Sequence, residues 1–110
     1  MKATYPKRLQ KEIKKLARGA HDREMRYYLE LLNQKFSEWK NGKLDTWDLV
    51  QYIHEFHNGQ ARNLYSAYQN LSLDSFLIRA VAAGHVIENE LPEEFREEAF
   101  RRAEVLKGQL

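Results

Sequence analysis

The chain has 110 residues, of which 43% are hydrophobic, 31% charged and 12% aromatic; that length sets one domain with material for one core without disulfides or metal. A net charge of only +2 and this aromatic content exclude disorder over most of the chain, while five Gly and two Pro exclude collagen and Pro-rich linkers. The absence of cysteine excludes disulfides, thiolate nucleophiles, iron–sulfur clusters and thiolate zinc sites, and fits a cytoplasmic setting.

The pattern along the chain is helical. Pro6 suits the start of a helix, and Leu9, Ile13, Leu16 and Ala20 then recur at intervals of four, three and four. This predicts an amphipathic helix over 6–18, ended or kinked by Gly19 unless it continues into the next. A second helix is predicted over 21–40, with Met25, Tyr28, Leu29, Leu32, Phe36 and Trp39 on one stripe and Tyr27 and Leu31 on a second side. A helix apolar on two sides lies centrally in a bundle or contributes to an interface. Asn41-Gly42 closes it.

Asp45 or Thr46 caps a third helix, with Leu49, Ile53 and Phe56 inward. Asn58-Gly59 reads as a break, since no alternating strands flank it as a hairpin requires. A fourth helix is predicted over 60–70, with Ala61, Leu64, Tyr65, Tyr68 and Leu71 at helical spacing. Ser72 caps a fifth over 73–83, apolar on nearly every side and so the most buried element, with Gly84 as its stop. Residues 85–91 form a loop or a short turn. Pro92, Glu93 and Glu94 open the last helix, whose inner stripe is Leu91, Phe95, Ala99, Ala103 and Leu106. Val and Ile are few and period-two alternation is absent, which argues against strands. The expectation is an all-α, single-domain bundle of five or six helices over 1–110.

No secretory signal is expected, because the early charges are not followed by an apolar stretch. The longest nearly apolar run, 76–87, falls short of the ~20 residues that cross a bilayer, so no membrane partner is expected. His54 and His57 lie three apart with Glu55 between them, whereas the zinc-protease pattern wants the histidines four apart. A third ligand (His21, His85 or Asp45) is not placed nearby by the sequence. No Glu is followed by His at the spacing a di-iron bundle uses. Phosphate-binding loops and nucleophile elbows are absent. Neither a metal nor another cofactor is expected, and no catalytic set is assigned.

Charge and surface aromatics carry the remaining signal. Residues 1–20 hold seven Lys/Arg against one acid, and residues 88–104 hold seven acids against three Arg. The two ends either attract each other, within the fold or across a dimer, or face different partners. Lys7, Lys11, Lys14, Lys15 and Arg18 share the face opposite Leu9, Ile13 and Leu16. Such a stripe is a solvated face, a dock for an acidic protein, or a phosphate contact. No stacking aromatics are interleaved with it. Tyr27, Trp47 and Tyr52 fall off the main stripes, as interface anchors do. These features point to a non-enzymatic protein-interaction module, an adaptor, regulator or neutralising partner. Its partner is another protein or itself, as a homodimer or other homo-oligomer. The candidate contacts are Lys7, Lys11, Lys14, Arg18, Tyr27, Leu31, Trp47 and Tyr52. Nucleic-acid binding through the basic first helix is the alternative.

Overall fold

A computed structural model describes residues 5–109. Among them the chain folds into four helices and no strands, fewer than the five or six expected, because two predicted breaks are absorbed into longer helices. Helix α1 runs Lys7–Lys40. At 34 residues it is about 51 Å long, close to the 54 Å long axis of the protein. It is the spine of the molecule. Gly19 does not end it as an independent signal would. Ala17 and Ala20 on either side are buried, and the inward positions 9, 13, 17, 20 and 24 stay in phase across it. Packing of that stripe outweighs the roughly 1 kcal/mol that an interior glycine costs a helix.

The end of α1 is local. Gly42 takes a left-handed φ of +76°, which lets Lys43 N–H reach back to the Glu38 carbonyl at 2.8 Å. This is the glycine-terminated helix end expected at Asn41-Gly42. Asp45 then caps α2, its carboxylate accepting from Asp48 N–H at 2.7 Å.

Helix α2 comprises Thr46–Glu55, a π-helical turn over Phe56–Ala61, and Arg62–Asn70, without interruption. The predicted break at Asn58-Gly59 is therefore a widened turn. Phe56 and Leu64 are eight residues apart, about 80° out of phase on an α-helix. A π turn takes in one extra residue, worth about 100° of rotation, and returns Leu64 to within about 20° of Phe56. One helix can then keep Leu49, Ile53 and Phe56 on the far half of α1 and bury Leu64 in the main core.

Helix α3, Leu73–Ala82, buries Phe76, Leu77, Ile78, Ala80 and Val81, the most buried element as its composition predicts. Gly84 (φ +85°) ends the turn after it, with His85 N–H on the Ala80 carbonyl at 2.9 Å. A short 3-10 turn, Glu88–Glu90, leads to α4, Glu93–Gln109. Its Phe95, Ala99 and Ala103 are buried, with Leu91 just ahead, on the predicted stripe.

Two regions result. The body holds the first half of α1, the end of α2, and all of α3 and α4 around one apolar cluster. The arm is the far half of α1 packed on the first half of α2, residues 26–60. Leu49 is the one buried side chain in the arm. Leu29 and Trp39, predicted on the inner stripe, are exposed, because α1 has a single neighbouring helix there instead of the several a bundle supplies.

Candidate interaction surface

The arm presents its apolar side chains on either side of the helix–helix seam. Tyr27, Leu29, Leu31, Trp39, Trp47, Val50 and Tyr52 are all exposed. One flank forms a groove of about 580 Å³ lined by Tyr28, Leu31, Lys35, Tyr52, Phe56 and Gly59, among others. The Lys35 ammonium lies 4.6 Å from the centre of the Tyr52 ring and 3.4 Å from Glu38. The Glu38 carboxylate, followed by Tyr52, holds the Lys35 pKa above its ordinary value. Trp39 Nε1 donates to Thr46 Oγ1 at 3.0 Å, tying the arm's tip.

The candidate contacts do not form one site. Leu31 and Tyr52 share the groove. Tyr27 stands one turn before Leu31, its ring 5.5 Å from that of His85 and 5.6 Å from that of Tyr28. Trp47 is 71% exposed but sits about 140° round α2 from Tyr52, outside the groove. Lys7, Lys11, Lys14 and Arg18 are exposed at the opposite end of α1; Lys7 is about 30 Å along the helix from Tyr27. The basic stripe and the aromatic arm are thus separate surfaces, which a list of residues does not reveal.

The charge split is partly satisfied within the chain. Arg8 pairs with Glu94, and Arg23 grips Glu90 through both guanidinium nitrogens at 2.9 and 3.0 Å while also donating to the His85 carbonyl. The Tyr5 hydroxyl donates to Glu98 at 2.7 Å; burial and then this bond push its pKa upward. Lys7, Lys11, Lys14, Lys15 and Arg18 make no ion pair among the described residues.

Where the arm meets the body, the structure holds a group that sequence reasoning missed. Glu24 is 1% exposed. Both its oxygens accept from Arg79, at 2.9 and 3.0 Å, and Oε2 also accepts the Tyr28 hydroxyl at 3.0 Å. His85 Nε2 is 4.0 Å away. Burial alone would raise the carboxyl pKa; the Arg79 hydrogen bonds and charge outweigh it and hold Glu24 below the ordinary range. With both oxygens engaged, Glu24 is a structural anion and no free base. Asp74, 2% exposed, is engaged on one oxygen only: its Oδ2 accepts from Arg102 at 3.2 Å between α3 and α4, while the other Arg102 terminal nitrogen donates to Ser75 Oγ at 3.1 Å. The signal was present: Glu24 falls in phase with Ala17, Ala20 and Tyr28, and Arg79 interrupts the most apolar helix.

His54 and His57 are both exposed, one in the α-helical part of α2 and one in its π turn. His21 instead packs in the body, its ring tilted at 46° to that of Tyr68 with centres 4.9 Å apart. Among the described residues no three metal-ligating side chains converge, and no helix is long and apolar enough to cross a membrane. Compared with protein-family models, curated proteins and solved structures, the chain matches none.

Proposed function

We propose that the chain is a non-enzymatic protein-interaction module that binds another protein or a second copy of itself through the arm. The observation that supports this reading is the arm's imbalance: seven large apolar side chains exposed and one residue buried across 26–60. Aromatic side chains on a groove-bearing helix pair are the anchors that carry binding energy at protein interfaces, and an amphipathic helix laid in the groove would cover Leu31 and Tyr52. Tyr28, which lines the groove, donates to the buried Glu24 at 3.0 Å, and that bond holds one wall of the groove in place. The module works in the cytoplasm, where a chain without cysteine loses nothing to reducing conditions.

The test is Tyr27→Ala with Leu31→Ala. Both side chains are already exposed, so the variant keeps its helical circular dichroism and melts within a few degrees of the native chain. Capture of a stoichiometric protein partner, or self-association, falls at least about tenfold, as loss of two apolar anchors implies. An unchanged assembly in the folded variant removes the arm as the binding surface. The alternative reading, phosphate contacts from Lys7, Lys11, Lys14 and Arg18, predicts steeply salt-dependent binding to random DNA or RNA. Undetectable binding at low salt ends it.

A further inference from the structure

Two outward faces of the body carry opposite charge at the same spacing. On α1, Lys7, Lys11, Lys14 and Arg18 stand at intervals of four, three and four, and on α4 Glu93, Glu97, Phe100 and Glu104 do the same. All eight are exposed. That spacing keeps each set on one side of its helix, and each stripe is about 16 Å long. The protomer's own pairing between its basic and acidic ends uses other residues, Arg8 with Glu94 and Arg23 with Glu90. The four cations have no ion-pair partner among the described residues, nor do Glu93 and Glu97. Glu104 reaches only Lys107, on the same helix, at 3.3 Å.

We propose that the basic face of α1 docks on the acidic face of α4 of a second copy. The intervals read the same in both directions, so an antiparallel approach sets Lys7 against Glu104, Lys14 against Glu97 and Arg18 against Glu93. Lys11 then lies over Phe100, its methylene stem on the ring and its ammonium at the ring face. A nucleic acid would use only the basic stripe and would leave an exposed phenylalanine among glutamates without a role. The net charge of +2 puts no strong long-range repulsion between copies. Engagement of both stripes at once closes a two-fold dimer; engagement of one makes a head-to-tail contact. This surface is distinct from the arm, and the inference does not rest on the arm reading.

The experiment is sedimentation velocity on the full chain, freed of nucleic acid. Exposed ion pairs are individually weak and screened as the Debye length falls from about 30 Å at about 0.01 M salt to about 3 Å at about 1 M. Self-association is expected at low salt and at least about tenfold weaker at high salt. A chain with Lys7, Lys11, Lys14 and Arg18 changed to Glu, and another with Glu93, Glu97 and Glu104 changed to Lys, are each monomeric at low salt. Mixed one to one, they associate again. A chain of the same net charge as the second variant, with Asp22, Glu30 and Glu55 changed to Lys, keeps both native stripes and still self-associates at low salt where the second variant does not, which separates matched stripes from bulk charge; a control chain as monomeric as the second variant overturns the proposal. Circular dichroism checks the fold of each; if a reversal fails to fold, Lys11→Gln with Lys14→Gln must still weaken association several-fold. A native chain monomeric at low salt, reversed chains that still associate, or a mixture that stays monomeric overturns the proposal. So does loss of the salt-sensitive association in the Tyr27→Ala, Leu31→Ala variant, since the arm would then be the contact.

Discussion

The two long helices run through both the body and the arm, yet in one region they join a core and in the other they form a surface. In the body, α1 meets α3 and the end of α2 around a cluster in which Ile13, Leu64, Phe76, Leu77 and Phe95 are all but inaccessible. In the arm, α1 meets only the first half of α2, and Leu49 alone is buried. A helix side chain is covered when neighbours flank it on more than one side. Removing two of three neighbours converts the same apolar pattern from core into exposed stripe. The elongated outline, 54 × 23 × 22 Å, follows directly.

The largest expected effect separates the two regions by stability. Phe76→Ala in the body should cost about 4 kcal/mol, as large-to-small core changes do, and should accelerate amide exchange throughout the chain. Leu49→Ala should cost about 2 kcal/mol and act locally. Hydrogen exchange read by mass spectrometry should show faster exchange confined to 26–60, with the body's slowest amides unchanged. Equal acceleration in both regions would mean that the arm is no separate unit of opening.

Next in size is the joint between the regions. Arg79→Met leaves the Glu24 carboxylate buried without its cation and should cost about 3 kcal/mol in urea unfolding at neutral pH. The folded Glu24 carboxyl titrates below its unfolded value. Its contribution is therefore complete above the ordinary carboxylate pKa and is lost as pH falls through the lower, folded one. Native stability should fall on acidification through that window, and Glu24→Leu with Arg79→Leu should flatten that part of the profile. A double variant that keeps the native acid limb assigns the limb to other groups, Asp74 first among them.

The smallest effect tests the spine. An added methyl at Gly19 meets nothing within 4 Å, so Gly19→Ala should raise stability by about 0.5–1 kcal/mol through helix propensity. Gly42→Ala forces a side chain onto a left-handed φ and should lower it by about 1 kcal/mol. Thermal melts of the two variants should move in opposite directions. A fall with Gly19→Ala would contradict an unbroken α1.

Much of the fold was readable because its causes are local. The Asp45 cap and the left-handed Gly42 and Gly84 each act within a turn. The stripes Leu9–Ile13–Ala20 and Phe95–Ala99–Ala103 repeat at helical spacing. The apolar surround of α3 forecast its burial. The candidate contacts were legible only as residue types. Leu31 and Tyr52 were named without the groove that joins them, and Trp47 was grouped with a surface it does not share.

The sequence by itself determined the helical class, most helix ends, the inward stripes of the first half of α1 and of α4, and the separation of charge between them. Only the tertiary structure decided that Gly19 lies inside a helix and that Asn58-Gly59 widens a turn instead of breaking one. It also decided that Glu24 is buried against Arg79, and that seven large apolar residues of 26–60 are exposed. Caps and periodicity are set by neighbours a few residues away. Continuity through a weak position, pairing of charges 55 residues apart and exposure of an apolar stripe depend on which distant helix lies alongside.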